Sequence, residues 1–239
     1  MKNYLFIILL LIVNVLSAQE FKTSVAFGTG ISWFAPSSSN FYHSLKNNIS
    51  ENGIFSVAIQ EEYYMPKLIS FGIELNCLNM HSYFSSLTPP ENNIPEYYSN
   101  YQHSLRIIML DVPIIIKIRT KKDVANGFYF AFGYGLNYIV SAKRNVEIYK
   151  GHMNNPKPSE IIPVVEDRIM LKTMGNSSLG TFSIVGIGKN FLIKNKSFFC
   201  EIKYRFDINS WRYSTAYDPS NQSIDLKRQG LILNLGYTF

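Results

Sequence analysis

Beyond the first eighteen residues, apolar side chains recur at every second position, the repeat of a strand with two unlike faces. The first segment puts Val25, Phe27, Ile31 and Trp33 on one face and Ala26, Gly28, Gly30 and Ser32 on the other. The second sets Phe55, Val57, Ile59 and Tyr63 against Ser56, Ala58, Gln60 and Glu62, and the third sets Ile69, Phe71, Ile73, Leu75 and Cys77 against Ser70, Gly72, Glu74 and Asn76. In the fourth, Leu110, Val112, Ile114, Ile116 and Ile118 oppose Asp111, Pro113, Ile115, Lys117 and Arg119. The fifth alternates Phe128, Phe130, Phe132, Tyr134, Leu136 and Tyr138 with Ala131, Gly133, Gly135 and Asn137. The sixth, near Thr181 to Asn190, opposes Val185 and Ile187 to Gly186 and Gly188. The seventh sets Phe198, Cys200, Ile202, Tyr204, Phe206 and Ile208 against Glu201, Lys203, Arg205 and Asp207; the last sets Leu231, Leu233, Leu235, Tyr237 and Phe239 against Gly230, Asn234, Gly236 and Thr238.

The chemistry of the two faces selects the architecture. One face is large and apolar; the other is small or charged. In a soluble sandwich the apolar face turns inward and the exterior carries Lys, Glu and Thr. Here the polar face is crowded with Gly, Ala and Ser, which suits a narrow interior, while Phe, Tyr, Ile and Leu suit lipid. The expected fold is all-β, an eight-stranded antiparallel up-and-down transmembrane β-barrel.

The spacing between segments agrees. Long connections follow strands one, three, five and seven (35–52, 81–102, 143–178 and 211–229), and short ones follow strands two, four and six (65–68, 120–126 and 191–197). That alternation is the asymmetry of an outer-membrane barrel, with long loops outside and tight turns in the periplasm; an even strand count then leaves both termini periplasmic.

Residues 1–18 read as a cleaved signal peptide: Lys2, then an apolar run from Tyr4 to Leu16 broken only at Asn14, then Leu16-Ser17-Ala18 as a small-residue cleavage site. The run is short for a spanning helix, which needs about 20 apolar residues. No Cys follows the cleavage site, which argues against a lipid anchor. The remainder, 19–239, is one domain's length. The expected location is the outer membrane.

Composition refines this picture. Aromatic residues make up 15% of the chain (16 Tyr, 17 Phe and 2 Trp) and charged residues only 17%. No later stretch is a helical span, since the apolar run Ile107–Leu110 stops at Asp111, so the aromatics read as interfacial girdles. The net charge of +6 is too diffuse for a nucleic-acid partner. Cys77 and Cys200 lie in different strands and suggest no disulfide framework.

The segment LDVPIIIKI (Leu110 to Ile118) resembles a motif of the PorT-like outer-membrane β-barrel family of the Bacteroidetes: an acidic residue, an apolar one, Pro, an apolar run, then Lys. The Ser-Ala-Gln cleavage region, FYFAFGYGLNY and the terminal GLILNLGYTF are similar too. Some members of that family act in type IX protein secretion, and most have no established role.

Candidate chemistry is concentrated on the inward face. Glu62, Glu74, Asp111, Lys117, Arg119, Glu201, Lys203, Arg205 and Asp207 are five acids and four bases, enough for mutual neutralisation. Eight strands enclose just enough room for side chains, and buried charges persist when paired, so a salt-bridged plug is expected rather than an open pore. Pro113, which lacks a ladder donor, is expected at a bulge or strand end as a register device. Tyr237 and Phe239, closing an amphipathic last strand, resemble the signal read by the barrel assembly machinery. Tyr97, Tyr98 and Tyr101 lie in a long polar, aromatic connection whose composition suits an adaptable contact surface.

His43-Ser44, His81-Ser82 and His103-Ser104 are the only hint of a nucleophile–base pair, and adjacency in sequence does not create that geometry. Four scattered histidines lack ligand spacing, so no metal or other cofactor is expected. The reading is a non-enzymatic barrel acting in envelope structure or through its loops, with outer-membrane lipid, the assembly machinery and envelope or secretion proteins as partners. A PorT-type secretion component and a lipid-modifying enzyme are the alternatives.

Overall fold

The computed structural model describes residues 21–36, 46–47, 52–65, 68–88, 97–121, 126–152, 160–167, 172–173, 179–214 and 223–239. Residues 1–18, expected to be a signal peptide, lie outside the described residues. Eight long strands form the wall: β1 (Phe21–Pro36), β2 (Gly53–Tyr64), β3 (Ile69–Thr88), β4 (Tyr97–Arg119), β5 (Gly127–His152), β6 (Leu179–Ile193), β7 (Lys196–Asp207) and β8 (Ser223–Thr238). Each pairs antiparallel with the next in sequence, and β8 pairs with β1 from Ser24↔Thr238 to Pro36↔Leu226. The ring is therefore closed and every ladder hydrogen bond has a partner strand, as a barrel in lipid requires. The expected fold class and strand count are those observed.

Alternation decides which way each residue points. Adjacent isoleucines on β4 make the case: Ile114 is 63% exposed on the outside and Ile115 is 0% exposed in the lumen. On β5 the outward apolar series runs from Phe128 to Val140, twelve residue steps. With strands tilted by about 40° this gives an apolar band of roughly 30 Å, matching a bilayer core. Aromatic rings border it at the short-turn end, where Phe191 stacks on Phe198 with centroids 6.1 Å apart and Tyr237 packs tilted against Phe198 at 5.2 Å.

The connections at the short-turn end fall at 65–68 and 120–126 as expected, but the third is tighter than 191–197. Ile193 pairs with Lys196, leaving only Lys194 and Asn195, with φ of 48° and 63°. Positive φ at both central positions matches the right-handed twist of the flanking strands. At the opposite end much of what reads as loop is strand. β3 continues to Thr88, β4 starts at Tyr97, β5 continues to His152 and β8 starts at Ser223. Glu160–Asp167 extends the ribbon beside β5, and Trp211–Ser214 pairs with β8. The sequence there lacks the sustained apolar alternation of the lower wall, while the backbone ladder continues.

Pro113 departs from expectation. It sits mid-strand opposite Gly135, and the β3–β4 register is the same on both sides of it, Ile73↔Ile114 and Asn76↔Asp111. The pairing simply skips the residues around the missing donor. The bulge lies elsewhere, between Ile108 and Met109, where Ile108 faces Ser141, Met109 faces Ile139, and Val140 is the extra residue.

Candidate functional site

The lumen is the site the strands build together. All nine charged side chains read as inward are buried there, and a tenth joins them, Arg228 on β8. Five acids now face five bases.

At the short-turn end Glu62 lies 3.0 Å from Lys117 Nζ and also pairs with Arg119. Ser70 links them, donating to Glu62 and accepting from Arg119 Nη1 at 2.6 Å. Lys117 donates to Gln60 Oε1 at 3.2 Å and lies 4.7 Å from the Tyr129 ring centroid. Arg119 lies 4.5 Å from the Tyr64 ring centroid, so both cations have a π-face as well as a carboxylate.

Higher in the barrel, Lys203 Nζ is 2.6 Å from Glu74 and 3.1 Å from Glu201. Above that Arg205 forks onto Asp111, Nε to Oδ2 at 2.6 Å and Nη2 to Oδ1 at 3.2 Å, and donates Nη1 to Asp207 Oδ1 at 2.8 Å. Asp207 is the hub. Its Oδ2 also accepts from Arg228 Nε at 2.6 Å and Trp211 Nε1 at 2.8 Å, and its Oδ1 accepts from Asn137 Nδ2 at 3.2 Å.

The other half of the lumen is apolar, which the segment reading does not anticipate. Phe34, Ile54, Leu78, Met80, Leu105, Ile107, Met109, Ile139, Ala142, Trp211 and Ile232 form one buried cluster on the long-connection side. It meets the ion network at Met109, whose Sδ lies 3.4 Å from Arg228 Nη1. Glycines make room for the largest rings nearer the short turns: a methyl group at Gly188 would overlap Tyr129, and one at Gly236 would overlap Phe199.

Arg228 falls in the expected connection 211–229 and is therefore missing from the sequence reading. Two signals point to it: it keeps the parity of Gly230 and Asn234, and it balances five acids against four bases. The apolar cluster is not legible in the alternation, because both faces of Ile107–Leu110 are apolar, which erases a period of two.

Outside the lumen, Tyr97, Tyr98 and Tyr101 lie in β4 rather than in a loop, facing His152, Gly151 and Ile148 of β5 in backbone register. Tyr237 and Phe239 sit on the outer face at the short-turn end, their rings edge-on with centroids 4.8 Å apart. Of the His-Ser dipeptides, His43-Ser44 lies outside the described residues. His81 Nε2 is 3.0 Å from Ser104 Oγ, a pair drawn from two different dipeptides, while Ser82 turns inward to Ser32 at 2.9 Å. Among the described residues, no group of three metal-ligating side chains occurs. Cys77 and Cys200 are both free thiols.

No family model matches the sequence, and no curated protein matches it. Among solved structures the chain is similar to the outer membrane protein OprG from Pseudomonas aeruginosa, with a TM-score of 0.52 and 9% identity over 93% of this chain and 96% of that one. Ail, the attachment invasion locus protein of Yersinia pestis, superposes with a TM-score of 0.39 and 12% identity over 92% of this chain and 99% of that one. Neisserial surface protein A gives 0.40 and 10% over 91% and 97%. The likeness to OprG is one of fold, a closed barrel of the outer-membrane type; the two looser superpositions carry no argument.

Proposed function

We propose that this chain is an integral outer-membrane barrel whose lumen is closed, and that it acts without catalysis, in envelope structure or by presenting its long-connection end to a partner. The carrying observation is the inversion of the two faces: an exposed apolar band surrounds ten buried, opposed charges. That arrangement is stable in lipid and unstable in water. In this reading residues 1–18 are removed on export and the short turns and both chain ends face the periplasm. Tyr237 and Phe239 serve recognition by the barrel assembly machinery, and the ribbon bearing Tyr97, Tyr98 and Tyr101 meets envelope or secretion proteins outside.

Two measurements test it together. The purified protein fractionates with outer membranes and migrates differently on gels when unheated, and in planar bilayers it gives no steady conductance. A soluble, heat-insensitive protein overturns the location; a stable open channel overturns the closed lumen.

The type IX secretion role is what the PorT-like resemblance implies; Leu110–Ile118 is its most specific segment, and no residue singles out a secretion member. Unchanged cargo secretion after gene deletion removes it. The lipid-modifying alternative has one observation behind it, the His81–Ser104 hydrogen bond. Under the preferred reading Ser104→Ala leaves the lipid A profile unchanged.

A further inference from the structure

In the charged half of the lumen, two buried side chains end in atoms that no protein partner satisfies. Tyr129 is 0% exposed and Glu201 1%. Among the described residues the Tyr129 hydroxyl makes no hydrogen bond, and neither oxygen of the Glu201 carboxylate accepts one. Lys203 Nζ approaches Glu201 Oε2 to 3.1 Å, an ion-pair distance, but off the direction of a hydrogen bond.

Register brings the two side chains into one layer. Tyr129 of β5 pairs with Gly188 of β6, and Gly188 pairs with Glu201 of β7. The phenol lies across Gly188, where a methyl group would overlap its hydroxyl, so the hydroxyl reaches toward the strand that carries Glu201. β6 brings only Gly186 and Gly188 to this level and supplies no side-chain donor between them.

An ionised carboxylate can accept about four hydrogen bonds, and a phenol beside it is a donor in need of an acceptor. Burying both without partners forfeits their hydration. Had the two groups touched, each would satisfy the other. They do not touch, so the group between them must both accept and donate, as water does. A cation fits less well. Glu62, Glu74 and Glu201 already balance Lys117, Arg119 and Lys203, and an added positive ion would leave a net buried charge.

The approach lies at the short-turn end. Tyr129 carries the first inward side chain of β5 above the 120–126 connection. Arg119, 6.0 Å from its ring centroid, has an Nε that is also buried without a partner. In the other direction the apolar cluster that includes Met109 and Met80 closes the way.

We propose that an internal water, supplied from the short-turn end, bridges the Tyr129 hydroxyl and the Glu201 carboxylate. The charged half is then a hydrated vestibule, and the apolar half alone is the barrier. The inference rests on the closed-lumen reading and adds where the closure lies.

The test is hydroxyl-radical labelling by X-ray pulse of the full-length protein in lipid vesicles, read by mass spectrometry at Tyr129 and Met80. Both side chains are equally buried, and the Met80 thioether is intrinsically no less reactive. Radicals formed from a bound water label its neighbours, so wild type is labelled at Tyr129 and not at Met80. Glu201→Met loses the Tyr129 label, down to the level of Met80, whereas Glu201→Gln keeps the polar partner and the label. A wild-type Tyr129 as unreactive as Met80 means a dry lumen and overturns this inference alone. Labelling of both residues means solvent runs the length of the barrel, which defeats the closed-lumen reading itself. An undiminished Tyr129 label in Glu201→Met overturns the bridge. Should that variant fail to show the heat-dependent gel shift, wild type and Glu201→Gln still decide: a label lost in Glu201→Gln also overturns the bridge.

Discussion

The two halves of the lumen solve one packing problem by opposite chemistry. Toward the short turns the space is filled by two ion triads that balance each other, Glu62 with Lys117 and Arg119, and Lys203 with Glu74 and Glu201. Toward the long connections it is filled by Leu78, Met80, Leu105, Ile107, Met109 and their neighbours, much like the core of a soluble protein. Apolar filling is forgiving of small shifts, whereas an ion pair requires each partner in place. The charged half therefore specifies register and the apolar half seals. Asp207, Trp211 and Arg228 form the boundary, where a carboxylate, an indole and a guanidinium lock the two together.

Three substitutions measure the contrast, each read by urea unfolding of vesicle-inserted protein followed by the fluorescence of Trp33 and Trp211. Asp207→Ala carries the largest effect, a loss of about 3–5 kcal/mol, because it strands Arg228 and half of Arg205 without a counter-charge. Leu105→Ala opens a cavity in the seal and costs about 3 kcal/mol with the register intact. If Leu105→Ala proves the more damaging, the division of labour described here is reversed. The smallest change is expected from replacing Glu74, Glu201 and Lys203 together by Met. Exchanging a whole buried ion group for apolar side chains of similar size is near neutral, within about 1 kcal/mol of wild type. A large loss from that triple substitution would mean the charges stabilise the barrel and do more than set its register.

The legibility of this molecule in its sequence follows the same division. Wherever the lumen is polar, as along Asp111, Lys117 and Arg119 or Glu201 to Asp207, the alternation against lipid-facing Ile and Phe assigns faces residue by residue. Where the lumen turns apolar, around Ile107 and Met109, inward and outward positions look alike and the strand reads as an undifferentiated run. Beyond the band, in the ribbon around Tyr97 to Gln102 and up to His152, the sequence holds no sustained apolar alternation, so it reads as a loop although the backbone ladder continues. Arg228 sits where strand and connection were hardest to separate.

The seam between β1 and β8 joins Ser24 to Thr238, 214 positions apart, through a 3.0 Å contact between their hydroxyl groups. Two of the central lumen pairings are also long-range, 129 positions for Lys203 with Glu74 and 94 for Arg205 with Asp111. Loops of that span close late and slowly, and contacts between distant segments dominate the folding rate. Until β8 arrives, the ten charges have no shared interior and remain hydrated along an otherwise sticky chain. The residues that lock the finished barrel are thus the same ones that keep the unclosed chain hydrated, and closing the ring turns a solubilising feature into a structural one.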